Sequence, residues 1–168
     1  NFPDFRASER SYQMLVQVAG RAGRREQAGN VMVQSYQPWH KVLEALKTND
    51  IQTLYDWEIA ERLKYHYPPF TRVIKITMRH SVDETVKQAS ELLADNLRQS
   101  LGEKVLGPES PYISRIRNQY IRQIIIKYEP EQVSSQKLKE LIMERVFALK
   151  SQTAFKQIQV IPDVDTYF

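Results

Sequence analysis

Residues 17–25 read Gln-Val-Ala-Gly-Arg-Ala-Gly-Arg-Arg, two glycines and three arginines within nine positions. On a helix Gln17, Arg21 and Arg24 fall at i, i+4 and i+7 and point the same way. A guanidinium stays charged at any working pH and grips two phosphate oxygens through paired hydrogen bonds, so two of them on one rigid turn suit the terminal phosphate of a nucleotide. Glycines beside them, Gly20 and Gly23, remove the Cβ that would hold another surface at a distance. An arginine reaching a transferring phosphoryl group in this way is worth on the order of 10³ to 10⁵ in rate. The same letters also suit an exposed basic helix end, where arginines complement the helix dipole.

A second basic cluster, Arg115, Arg117, Arg122 and Lys127, is interleaved with Tyr112, Tyr120 and Tyr128. It offers phosphate contacts beside flat stacking surfaces, the combination expected of a nucleic-acid site. Strand alternation puts Tyr120, Arg122, Ile124, Ile126 and Tyr128 on one face and Gln123, Ile125 and Lys127 on the other. A solvated loop and strand edge has the same composition, and the tyrosines fit a packed core better than a stacking platform. Lys137 and Lys139 suit an acidic peptide, or a solvated helix face.

Other chemistry is excluded or weak. With no cysteine, the chain forms neither a disulfide nor a thiolate metal site. His40, His66 and His80 lack ligand spacing, and Asp163 and Asp165 have no third acid nearby, so no metal site is expected. No Gly-Lys pair occurs, hence no phosphate-cradling loop of the G-x-x-x-x-G-K-[ST] type. Asp83 and Glu84, in Ser-Val-Asp-Glu, are better explained by a capping box between Ser81 and Glu84 than by catalysis. The chain by itself is therefore expected not to hydrolyse ATP.

The elements that must position these residues follow from periodicity. Helices are predicted over 7–19 (Tyr12, Leu15, Val16 and Ala19 inward), 40–47 and 51–65, with an intervening strand over 30–36. Trp39 and Trp57 are expected to anchor the two connecting helices. Prolines 68 and 69 end this part. Beyond them come a strand over 72–79, a helix to about 101, strands over 104–106 and 120–129, a helix capped by Ser134 or Ser135 to about 150, and a strand over 155–161. The βαββαβ order is the split βαβ plan of ferredoxin-like sheets, four strands on one side and two helices on the other. An α+β fold is thus predicted.

Bulk composition sets the frame. The 168 residues, 42% of them apolar, suffice for one ordinary domain and an appendage. A net charge of +4, from 24 basic and 20 acidic residues, leans towards polyanionic partners without demanding them. No long apolar run or signal pattern is present, which favours a cytoplasmic setting with no membrane partner. The abrupt start at Asn1 reads as a piece of a longer protein.

Residues 17–24 resemble motif VI of superfamily 2 helicases, Q-x-x-G-R-x-G-R. The preceding Pro3–Leu15, together with Tyr-Pro-Pro-Phe at 67–70, Val-Leu-Gly-Pro at 105–108, Tyr-Ile-Arg-Gln-Ile-Ile-Ile-Lys at 120–127 and Asp-Val-Asp at 163–165, resembles the primosomal protein N′ family in the same order. The resemblance covers essentially the whole chain. It implies a parent that is an ATP-driven 3′–5′ DNA helicase, working with magnesium, recognising stalled or branched replication forks and starting primosome assembly in the bacterial, nucleoid-associated cytoplasm. It implies that 1–37 is the end of the second motor lobe, 38–66 connecting helices, and 67–168 a DNA-binding domain of ribosomal S10-like fold. Arg21 and Arg24 would then be catalytic, reaching ATP held by the other lobe, with Gln17 and Gly20 completing that side. Arg115, Arg117, Arg122 and Lys127 would face forked or single-stranded DNA. Lys137 and Lys139 would face partners such as single-stranded DNA-binding protein and other primosome proteins. Zinc would lie upstream, outside this chain, and the oligomeric state stays open. The alternative is a stand-alone nucleic-acid-binding or protein-interaction module with no motor role, in which the arginines are a basic tail.

Overall fold

The computed structural model describes residues 5–22 and 29–164. They fall into two units, one running up to Tyr65 and the other spanning His66–Thr166.

The first unit holds α1 (Ala7–Ala22), α2 (Lys41–Thr48) and α3 (Ile51–Lys64). Their shared core is small: Tyr12, Val42, Ala45 and Leu54, with Leu15, Leu46 and Trp57 packed against it. Helix α2 starts where His40 turns extended and its Nδ1 accepts the Val42 amide at 3.3 Å. It stops at Asn49, whose left-handed φ of 55° is one that asparagine tolerates. Helix α3 starts at Asp50, which accepts both the amide (3.1 Å) and the hydroxyl (2.6 Å) of Thr53.

Two expectations fail here. Residues 30–36 run in no strand, because a strand needs a partner ladder and the described residues supply none. Their side chains are exposed instead, Met32 at 97%. Trp39 also lies exposed at 70%, so only Trp57, set edge-on to the His40 ring, anchors a helix.

The second unit is a sheet covered on one face by two helices. Strand β1 (Arg72–His80) is followed by α4 (Asp83–Leu101), β2 (Val105–Glu109), the short β3 (Arg115–Ile116), β4 (Gln119–Tyr128), α5 (Ser135–Lys150) and β5 (Gln159–Val164). The order across the sheet is β2-β4-β1-β5 with every pair antiparallel, and β3 pairs with β4. This is the split βαβ arrangement in an α+β fold. Alternate residues of the central strands, Ile74, Ile76 and Met78 opposite Ile126, Ile124 and Arg122, face the helices. Val86, Ala89, Leu93 and Leu97 of α4, at helical spacing, are fully buried against them. Leu138, Ile142, Val146 and Leu149 of α5 close the core.

Local chemistry departs from expectation at both helix starts. Ser81 does not cap α4: the cap position is Val82, whose amide donates to His80 Nδ1 at 3.1 Å, and Glu84 accepts from Gln88 instead of reaching back. Ser134 holds the cap position of α5 without a side-chain cap bond, while Ser135 Oγ accepts from the Tyr128 hydroxyl at 3.0 Å. The last strand begins later than expected because 153–155 forms a 3-10 turn that buries Phe155. Between Leu106 and Glu109 the register shifts around Gly107, whose φ of 89° and whose Cβ position, 2.8 Å from the Gln123 carbonyl oxygen, both require glycine. A proline sits in each outer strand, Pro108 in β2 and Pro162 in β5.

Candidate nucleotide and nucleic-acid sites

Helix α1 carries the described part of the glycine and arginine motif. Its Tyr12 and Leu15 belong to the three-helix core, which fixes the roll of the helix. A partly buried ion network fixes its lean: Arg62 Nη2 lies 3.2 Å from Glu9 on α1 and 3.1 Å from Glu58 on its own helix, and the guanidinium stacks 5.4 Å from the Phe5 ring centre. The opposite side of α1 presents Met14, Gln17, Val18 and Arg21, at i, i+3, i+4 and i+7, all exposed. Gly20 is beside this stripe, and a Cβ added there would meet nothing within 4 Å. Gln17 and Arg21 therefore share one exposed face. Gly23 and Arg24 lie outside the described residues.

The four bases of the second cluster do not form one patch. Arg115 and Arg117 come together at the β3–β4 hairpin, both exposed. Its two-residue turn is Arg117 (φ 49°) and Asn118 (φ 61°), the paired left-handed geometry that matches strand twist. Arg115 donates to Asn118 Oδ1 and lies 4.7 Å over the Tyr120 ring. Arg122 goes elsewhere: on the helix-covered face its Nη2 sits 2.8 Å from Asp83 Oδ1 at the start of α4, an ion pair with an angle too bent for a hydrogen bond. Lys127 goes to the other face, with its ammonium 3.7 Å from the Tyr67 ring centre. Burial there lowers the Lys127 pKa and raises that of Tyr67. Lys137 and Lys139 are exposed on α5, on either side of the buried Leu138.

The tyrosines divide. Tyr128 is buried and Tyr120 packs against the core, whereas Tyr112 is 91% exposed and Ile113 is exposed beside it. The sequence signal for that was Ser-Pro-Tyr at 110–112, just after β2 ends, where the second proline of the run breaks regular structure. No three His, Asp or Glu side chains cluster as metal ligands among the described residues, and Asp163 stands opposite Lys75 in the sheet register.

The family model for the primosomal protein N C-terminal domain matches residues 64–167. The chain belongs to that family. Replication restart protein PriA of Bacillus subtilis (strain 168) is 34% identical over 169 residues, 99% of this chain and 20% of that protein. The protein of the same name from Synechocystis sp. is 38% identical over 132 residues, 76% of this chain and 16% of its own length. That of Haemophilus influenzae is 32% identical over 166 residues, 96% of this chain and 22% of its own length. The chain thus spans about a fifth of the length of the curated relatives it matches. The family's C-terminal domain coincides with the second unit, and α1 with its arginine motif precedes it.

Proposed function

We propose that this chain supplies one side of an ATP site and the DNA-binding domain of a replication-restart helicase, acting in the bacterial cytoplasm and nucleoid. The parent enzyme would move 3′ to 5′ on DNA, recognise stalled or branched forks and initiate primosome assembly. The observation that carries this reading is the exposed stripe Met14, Gln17, Val18 and Arg21 on α1. Two apolar side chains flanking a glutamine and an arginine make a face that a second protein surface covers, and the arginine then meets whatever that surface holds. Family membership supports the same reading, since the match to a relative named for replication restart runs over 99% of this chain and so takes in α1 as well as the C-terminal domain.

In this role Arg21 and Arg24 hold the terminal phosphate of ATP and Gln17 orients it, opposite a phosphate loop and magnesium supplied from outside these residues. ATP bound there supplies the free energy for strand separation. The second unit provides the contacts to forked or single-stranded DNA through Arg115 and Arg117. Lys137 and Lys139 face single-stranded DNA-binding protein or another primosome component, and zinc is held upstream.

The test is Arg21→Ala and Arg24→Ala in the longer protein. DNA-stimulated ATP hydrolysis is expected to fall by about 10³ or more while fork binding persists. Near-normal turnover in both variants refutes the arginine role.

A further inference from the structure

The β3–β4 hairpin carries more than cations. Tyr112 is 91% and Ile113 56% exposed, and both lie in the segment leading into β3. Ile116, exposed too, sits between Arg115 and Arg117. Exposed large apolar side chains on and just before a basic turn mark a contact surface. The turn is also built to hold its shape. Arg117 keeps a left-handed φ of 49° without being glycine, and Arg115 is pinned between Asn118 and the Tyr120 ring. A preorganised element loses little on binding.

Charge and apolar surface select different parts of a nucleic acid. Guanidiniums meet phosphates, which any DNA presents. A tyrosine ring and an isoleucine side chain need a base face, and a continuous duplex hides its base faces in the stack. An unpaired nucleotide offers both at once. We propose that this hairpin takes an unpaired nucleotide: Tyr112 and Ile113 lie against the base, and Arg115 and Arg117 hold the flanking phosphates. The idea rests on the DNA-binding reading above and adds to it a preference for unpaired over duplex DNA.

The experiment uses the 168-residue chain and three labelled DNAs: a duplex, a single strand, and a fork with 2-aminopurine at its first unpaired position. Fluorescence anisotropy at several salt concentrations gives affinity and salt slope. Tyr112→Ala is expected to weaken single-strand and fork binding about ten-fold and to abolish the 2-aminopurine response. It should leave duplex affinity and every salt slope unchanged. Tyr112→Phe should behave as the parent, because the ring and not the hydroxyl makes the contact. Arg117→Ala should weaken all three DNAs and reduce each slope by about one. A matched melting curve for each variant separates loss of binding from loss of fold. Equal loss on all DNAs with Tyr112→Ala, or no loss on any, overturns the base contact. If Arg117→Ala still shows its salt-dependent loss in that case, the DNA-binding reading stands. Should the unsubstituted chain bind none of the three DNAs, both readings fall and the hairpin is a protein-contact surface.

Discussion

Replacing Arg122 by alanine separates a structural arginine from a DNA-contacting one. Arg122 lies 2.8 Å from Asp83, with its side chain 15% and that of Asp83 48% exposed. At an effective dielectric near 20 the bare attraction at that distance is about 6 kcal/mol. Desolvating the guanidinium takes back several kcal/mol, and the bent geometry forfeits the hydrogen bond. A fully exposed pair nets about 0–1 kcal/mol, whereas breaking a fully buried one costs about 3–5 kcal/mol. This half-buried pair belongs between them, so Arg122→Ala is expected to cost about 1–2 kcal/mol. In a unit of roughly 100 residues that lowers Tm by roughly 4–16 °C. Asp83→Asn should cost a similar amount, because Asp83 also sits in the first turn of α4 where the dipole favours an anion. The double variant should cost less than the sum of the singles by about 0.5–1.5 kcal/mol. Thermal denaturation and fork binding at two salt concentrations are the paired measurements. Unchanged Tm with weakened, salt-sensitive fork binding would show that the guanidinium serves DNA and not the fold.

Other outcomes follow from the same structure. Leu93→Ala, at a fully buried position facing the sheet, is expected to cost about 2–5 kcal/mol by urea denaturation. Hydrogen bonds from Thr53 hold the Asp50 carboxyl below its ordinary 3.8. Its support of α3 is therefore complete above that value and lost as pH falls through the lower folded one. Asp50→Asn should flatten this acid limb in the helix signal. Lys127 and Tyr67 act in opposite senses at alkaline pH. The lysine's lowered pKa penalises the fold until pH rises through its folded value towards 10.5, and Lys127→Met should remove that rise. The tyrosine's raised pKa makes stability fall once pH passes 10.0, and Tyr67→Phe should remove that decline.

Legibility followed the range of the interaction. Helix α4 and strand β1 were readable because Val86, Ala89, Leu93 and Leu97, and likewise Ile74, Ile76 and Met78, carry their period in the letters and meet one shared core. Residues 30–36 carry an equally good strand period and form none, since pairing depends on a neighbour that no local pattern announces. The Ser81–Glu84 signature lost to His80, which takes the Val82 amide and moves the helix start along the chain. The partner of Arg122 could not be read, because Asp83 is 39 positions away and meets it only once α4 lies across the sheet. The same distance problem split a cluster of four bases into three places. Tyr112 was misjudged because tyrosine is usually packed, and only the two prolines around its segment argued otherwise.

The prolines in β2 and β5 matter beyond their own strands. Neither proline carries a backbone N–H, so each outer strand has one hydrogen-bond donor fewer than its length would give. This weakens strand addition as a route for growth of the second unit, either onto a copy of itself or onto an extended peptide. Recognition then falls more to the side chains on its loops and helices than to the backbone of its sheet edges.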